Sequence, residues 1–302
     1  MNKEELTAMV AEILAGMGRE PAVKGADYRN TAPEPHRAAP EYHPGDFVDD
    51  VTKLDLRKLY LVEGASDPEK FKRMKEKTPA RLGCGKAGAR YKTLTMLRFR
   101  ADHAAAQDAV FSEIDEDFAK KHDLLPTKTR CDSKDEYLTR PDLGRCFDEH
   151  NAKAIQGVID RPPRVQIVVG DGLSSAAITA NAMDCLGAIR DGLKLQGIET
   201  GKAIFVKYCR VGAGDAIGDL TGCELVCMLV GERPGLVTDK SLSAYITYKP
   251  HTGVSESSRT VVSNIHAQGT PAVESGAYVA ELIEKILKRK VSGVGLHLEE
   301  QA

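Results

Sequence analysis

Leu6, Met9, Val10, Ile13, Leu14 and Met17 recur at i, i+3, i+4, i+7, i+8 and i+11, the period of one apolar stripe on a helix. Glu4, Glu5 and Glu12 fill other positions and Gly16 and Gly18 close the stretch, so residues 1–18 are predicted as a short amphipathic helix. Residues 19–46 lose the pattern. They hold Pro21, Pro33, Pro35, Pro40 and Pro44 with almost no large apolar residues. Such a segment cannot bury enough surface to offset its ordering entropy, and a flexible linker is expected. An isolated helix as short as 1–18 is marginal in water. On a tether, it suits a peptide that docks on a partner better than a helix packed back on the body.

Helical spacing returns over residues 47–150. Asp50 is placed to cap VTKLDLRKLYLVEG, and TLTMLRFRADHAAAQDAVFSEI is Ala-rich with Leu94, Leu97 and Val110 at helical spacings. Between them RLGCGKAGARYKT forms a basic, Gly-marked loop, and LTRPDLGR forms a second. After Arg161-Pro162-Pro163 the texture changes. VQIVVG (165–170), AIFVKYC (203–209), ELVCMLVG (224–231) and RTVVSNI (259–265) are short aliphatic runs, with SLSAYITY (241–248) as a further candidate. Helical stretches separate the first three, and apolar runs that do not alternate point to a parallel sheet covered on both faces. Val279, Leu282, Ile283, Ile286 and Leu287 then make a C-terminal amphipathic helix. The expected fold class is α/β: a Rossmann-like open, mainly parallel sheet in residues 151–302. It is preceded by a smaller helical domain (47–150) and the flexible N-terminal segment.

Composition narrows the function without naming it. The 302 residues suffice for a sizeable core, and a net charge of −2 gives no electrostatic reason to expect nucleic acid or a membrane surface as partner. No apolar run approaches the ~20 residues of a membrane span, and MNKEELTAMV lacks the basic start and apolar middle of a secretory signal. Seven cysteines without a CxxC pair read as reduced thiols in the cytoplasm rather than disulfides or zinc ligands. Without Trp, and with 5% aromatics, stacking platforms for single-stranded nucleic acid are not expected.

In an open parallel sheet the ligand lies outside the carboxyl ends of the strands. Those ends are Gly170-Asp171-Gly172, Arg210-Val211-Gly212 and Gly231-Glu232-Arg233-Pro234-Gly235, with Val261 to His266 as another such edge. GDGLSS has Ser175 where a dinucleotide fingerprint needs its third glycine, and no Walker lysine follows. A tight turn with Ser174 or Ser175 capping the next helix is the stronger reading. Glu232, between two glycines, suits a ligand contact, although a surface acid in a Pro-kinked turn has the same signature. Asn264 and His266 fit an acid–base or metal pair and, equally, a hydrogen-bonded structural histidine. Arg81, Lys86 and Arg90 could grip a phosphate, or form a solvated face or subunit contact. No nucleophile arrangement carries a recognisable signature. The residues alone lead to an α/β ligand-binding domain with no catalytic set and no metal ligands of its own.

At these motifs the sequence resembles the small (light) chain family of ethanolamine ammonia-lyase. The matching blocks run in order from about Ala80 to the C-terminus: ARLGCGKAGARYKTLTMLRFRADHAAAQDAVFSEI, YLTRPDLGR, VVGDGLSS, FVKYCRVGAGDAIGD, MLVGERPGL, SLSAY and RTVVSNIHAQGTPAVESGA. SNIH-x-x-G-T-P and GERPGL are the most specific. The resemblance implies an adenosylcobalamin-dependent enzyme that converts ethanolamine to acetaldehyde and ammonia by radical chemistry, with the cofactor doing the hard step. It implies a large barrel chain that holds substrate and most catalytic groups, and a small chain that covers the cobalamin from the other side of a hetero-oligomer. The family's cobalamin contacts fall here on Val211, Glu232 and Val261, which are expected together at the strand edge, Val261 through backbone or shape. None of the eight histidines stands in a D-x-H-x-x-G segment, so base-on binding is expected, with dimethylbenzimidazole still on cobalt. The resemblance also implies packaging in a bacterial microcompartment, with the 1–18 helix as the address read by the shell. Two other readings remain at this point. One is a structural and targeting partner, with the cofactor held mainly by the large chain. The other is a stand-alone oxidoreductase, against which the missing third glycine and ribose-binding acid count.

Overall fold

The computed structural model describes residues 50–55, 57–78 and 80–298. The expected 1–18 helix, the 19–46 linker and residues 47–49 lie outside the described residues. Asp50 does cap, accepting the Thr52 N–H at 2.9 Å, but only for the single 3-10 turn Val51–Lys53. The expected helix stops there because the chain is recruited elsewhere: Tyr60 packs on Phe71, with ring centroids 5.5 Å apart, and the Leu61 N–H donates to Gly83 O at 2.9 Å. Helix α1 (Pro68–Lys75) starts from an Asp67 cap with Pro at its first position. The basic Gly-marked loop is a small antiparallel hairpin, β1 (Lys86–Ala87) and β2 (Arg90–Tyr91). Helix α2 (Thr93–Phe111) covers most of the Ala-rich stretch.

After the short α3 (Phe118–Lys121) comes a departure from the sequence expectation. Leu125–Lys128, inside the segment expected to be helical, is β3, an edge strand of the main sheet. Pro126 lacks a ladder donor and is tolerated there because the edge leaves one side of the strand unpaired. Helices α4 (Lys134–Thr139) and α5 (Glu149–Gly157) follow, capped by Ser133 and Asp148.

The remaining elements alternate. They are β4 (Val165–Asp171), α6 (Ser175–Ala177) continuing through a π turn (Ile178–Ala182) into α7 (Met183–Leu195), β5 (Ile204–Lys207), α8 (Ala213–Thr221) and β6 (Leu225–Gly231). Then come β7 (Leu242–Tyr248), β8 (Arg259–Ile265), α9 (Ala272–Arg289) and α10 (Val294–Leu298). The strand order is β3-β5-β4-β6-β7-β8. The first four are parallel, β7 is antiparallel to both neighbours, and β8 therefore runs with the parallel set. The fold is α/β with a mixed, mostly parallel sheet.

Side-chain alternation sorts the core. Val165, Ile167, Val169, Leu225, Cys227 and Leu229 face α7 and α9, where Val279, Ile283 and Ile286 are fully buried. Val168, Ile204, Val206, Val226 and Met228 face the other way, onto Ile155 of α5 and Ile217 of α8. Burying each such side chain contributes roughly 1.5–3 kcal/mol. This explains why β4 and β6, buried along their whole length, read as unbroken apolar runs. Helix α8 covers this second face only in part. On β7 and β8 beyond it, Tyr245 is half-buried and Val261 and Ser263 are exposed. The sheet thus keeps one open patch next to its carboxyl edge.

Candidate functional site

Strand β4 leads into α7 on one face and β5 into α8 on the other, so their carboxyl ends border the crevice where open sheets take ligands. Here protein fills it. Lys134 Nζ of α4 donates to Gly172 O at 2.7 Å, and Tyr137 Oη donates to Cys209 O at 3.2 Å, both from buried side chains. A Cβ on Gly172 would lie 2.9 Å from Tyr137 Oη. Ser174 caps α6, accepting from the Ala177 N–H at 3.0 Å, and donates to Asp239 O at 2.6 Å. GDGLSS is therefore a packed turn and helix cap, with no room for a phosphate.

Asp171, 2% exposed, bonds Ser175 Oγ at 2.7 Å. Burial pushes its carboxyl pKa up, opposed by Ser175 and the Lys134 charge. The native state thus holds this proton more firmly than the unfolded chain. Its contribution is complete below the ordinary carboxylate value and is lost as pH rises through the folded one. An Asp171→Asn variant should therefore gain stability relative to the parent as pH rises from 4 to 7. Urea unfolding at the two pH values checks this, and a gain that shrinks with rising pH contradicts it.

Past the plug, a cavity of about 150 Å³ opens on the α8 side of the sheet, lined among others by Tyr137, Arg210, Val211, Val230, Glu232 and Tyr245. Two of the three expected site residues meet in it. Tyr208, at φ +58°, turns the chain out of β5. The Arg210 N–H then donates to Gly144 O at 2.9 Å, and the Ala213 N–H returns to Arg210 O at 2.8 Å, which sets Val211 at the start of α8. Glu232 follows β6, its N–H donating to Ser241 O at 2.9 Å. Its Oε1 accepts from Ser243 Oγ at 2.5 Å and from the Asn264 N–H at 3.1 Å, so β6, β7 and β8 converge on one carboxylate. Both bonds fall on Oε1 of a side chain whose residue lines the cavity.

Val261 is not at the strand edge with them. It sits in the body of β8, paired with Tyr245, which in turn pairs with Met228 three residues short of the end of β6. The strand ends by length, but the register places Val261 lower on the sheet. It is 44% exposed on the same face as Tyr245, so it belongs to the open patch that runs from the mouth of the cavity across β7 and β8.

Sequence reasoning did not single out Arg210 and Tyr137. The Arg210 guanidinium lies 4.7 Å from the Tyr137 ring centroid, and its Nη2 donates to Tyr137 O at 2.7 Å, while its buried Nε has no partner. Tyr137 enters from a helix far back in the chain, and the signal was only its place in the YLTRPDLGR block. Burial raises the pKa of Tyr137, and burial together with the Glu232 charge raises that of Tyr245, so both phenols are neutral at physiological pH.

Other sequence candidates resolve elsewhere. Arg81 is held by Asp102 at 2.6 Å, by Leu236 O at 2.6 Å and over the Phe99 ring at 4.5 Å, while Lys86 and Arg90 sit on the exposed hairpin. Arg81 is structural, and the three do not form a phosphate grip. A larger cavity, about 720 Å³, lies at the amino end of the sheet. Charged residues that line it are held in ion pairs, Arg161–Glu199 at 2.6 Å, Arg164–Glu224 at 3.1 Å and Lys202–Asp123 at 2.9 Å. All seven cysteines are free, and burial pushes the Cys185 thiol up to about 12. Among the described residues no helix is long and apolar enough to cross a membrane.

The family model for the ethanolamine ammonia-lyase light chain matches residues 68–297. The chain is 51% identical over 296 residues to a Clostridium perfringens protein named ethanolamine ammonia-lyase small subunit, covering 98% of this chain and 100% of that one. It is 52% identical over 298 residues to the protein of that name from Clostridioides difficile and 51% over 296 residues to that from Listeria innocua, with the same coverage.

Proposed function

Because the chain belongs to the ethanolamine ammonia-lyase light-chain family, we propose that it joins a large catalytic chain and covers adenosylcobalamin at their interface. The reaction is the conversion of ethanolamine to acetaldehyde and ammonia. The observation that carries the cofactor assignment is that Val211 and Glu232, from different strand ends, share one cavity beside an open sheet patch.

The residues fit a corrin. The open β7–β8 patch offers Tyr245 and Val261 to a flat apolar macrocycle, and a cavity of about 150 Å³ is on the scale of a single amide side chain rather than the ring. The Glu232 carboxylate can accept from an amide N–H there, while Arg210, whose Nε lacks a partner, edges the same cavity. When bound, adenosylcobalamin supplies the radical chemistry. This chain's own groups bind and orient. Val211 and Tyr245 exclude water from the edge of the patch, and Glu232 fixes rotation in its plane. Asp171, Lys134 and Tyr137 are committed to protein bonds and take no proton-transfer role. No histidine stands in a D-x-H-x-x-G context, which supports base-on binding. The Leu6–Met17 stripe and its Pro-rich tether support the reading of residues 1–18 as an address for a microcompartment shell.

A Glu232→Ala variant, assembled with the large chain and titrated with adenosylcobalamin by visible absorption, is expected to bind about 10- to 150-fold more weakly. That is the scale of a charge-assisted hydrogen bond, about 1.5–3 kcal/mol. Parental affinity in the variant would instead favour a structural and targeting subunit, with the cofactor held by the large chain.

A further inference from the structure

Glu232 is steered by a second layer of residues that the cofactor does not need to touch. Asn264 is one of the few non-glycine residues at positive φ, +64°, at the penultimate position of β8. Asparagine enters the left-handed region more readily than other non-glycine residues, and here a closed set of bonds holds it there. The Thr270 N–H donates to Asn264 O at 3.0 Å, the His266 N–H donates to Thr270 O at 3.1 Å, and Asn264 Oδ1 lies 2.7 Å from His266 Nε2. The Gln268 N–H donates to His266 Nδ1 at 3.2 Å, which assigns the proton to Nε2 and makes that nitrogen the donor to Asn264. Both ring nitrogens of this buried histidine are thus committed within the 264–270 loop. Among the described residues no group of three His, Cys, Asp or Glu side chains could hold a metal, so a metal role for His266 finds no partners.

The product of this closed loop is a single outward N–H. The left-handed turn takes the Asn264 N–H to Glu232 Oε1 at 3.1 Å. On β7 the register with β8 shifts between Leu242 and Ala244, and Ser243, at that irregularity, gives the second bond to the same oxygen at 2.5 Å. Two donors from two strands tether one oxygen of a carboxylate whose residue lines the cavity. Glu232 otherwise stands on an irregular loop between Gly231 and Gly235, with no secondary structure of its own to hold it.

We propose that Asn264, locked in the left-handed turn by His266, and Ser243 are positioning residues that aim the Glu232 carboxylate at the cofactor. The inference rests on the reading of Glu232 as a cofactor contact. The test titrates adenosylcobalamin by absorption into the complex of the full-length chain with the large chain. Asn264→Val, which disfavours positive φ, is expected to weaken binding about 10-fold, and Asn264→Gly, which adopts it freely and keeps the N–H, to stay within about threefold of the parent. Ser243→Ala leaves the backbone alone, guards against misfolding of the Val variant, and is expected to weaken binding about 3- to 10-fold. In a Glu232→Ala background neither Asn264→Val nor Ser243→Ala should weaken binding further, and the KM for ethanolamine at saturating cofactor should not move. Equal losses with and without Glu232, or a Val variant that binds like the parent, overturn the positioning role while leaving the Glu232 contact standing. If Glu232→Ala alone binds like the parent, both fall.

Discussion

Replacing Asp215 with alanine is expected to destabilise the protein by about 3–5 kcal/mol, because it strands a buried guanidinium. The Arg259 side chain is 3% exposed and meets Asp215 through two parallel bonds of 2.8 Å each. Its pKa is raised, chiefly by the bond to Asp215, so the charge is retained under all conditions of interest. The other carboxylate on Arg259, Glu256 at 2.7 Å, is 77% exposed and cannot replace a buried partner, since water screens it. Asp215 belongs to α8 and Arg259 to β8, so the pair pins the helix that begins beside Val211 across the sheet, below the open patch. A loss of this size corresponds to a fall of about 6–20 °C in thermal midpoint for a body of this length. The companion variant settles the cause. Asp215→Ala combined with Arg259→Met removes the stranded charge and should recover most of the loss. A single variant within about 1 kcal/mol of the parent would mean that Arg259 finds water or another partner.

The sheet was legible where side chains are uniformly buried. The short runs VQIVVGD in β4 and LVCMLVG in β6, bounded by glycine, read as interior strands, and the stripe of α9 reads as one buried helix face. β3 was illegible because an edge strand of Leu-Pro-Thr-Lys needs neither apolar continuity nor a full set of donors, and its context was helical. The strand-end argument brought Val211 and Glu232 to one cavity because parallel strands must end on the same side. It misplaced Val261, since the antiparallel β7 sets the height of β8 through register, and composition does not encode register. It also could not see that α4 plugs the crevice beside Gly172. Lys134 and Tyr137 come from a helix that precedes the sheet's central strands, and only tertiary packing delivers them. The left-handed turn at Asn264 was hidden for a similar reason. The asparagine adopts it because of bonds to residues further along, and SNIH reads the same with an extended backbone.

Gly231→Ala should strike the fold and the site together. A Cβ there would stand 2.3 Å from Ser174 O and 3.1 Å from Ser174 Cβ, distances that require one backbone to move. Ser174 cannot yield cheaply, because its hydroxyl caps α6 and holds Asp239 O at 2.6 Å. The strain therefore passes into β6 and the loop after it. The expected cost is about 3 kcal/mol, the upper end for overpacking a well-filled interior. Displacement of the loop moves Glu232 Oε1 away from its two donors, weakening first the longer bond from the Asn264 N–H. Cofactor affinity in the assembled complex should then fall at least as far as in Glu232→Ala. Gly235 in the same loop supplies the control, for nothing lies within 4 Å of the Cβ it would gain. Gly235→Ala should remain within about 0.5 kcal/mol of the parent and bind cofactor normally. Chemical denaturation of both variants, followed by cofactor titration of whichever assembles, reads out the contrast. A Gly231→Ala protein with the parental unfolding midpoint would show that the Ser174 turn is softer than its bonds imply. The aim of Glu232 would then rest on Ser243 and Asn264 alone.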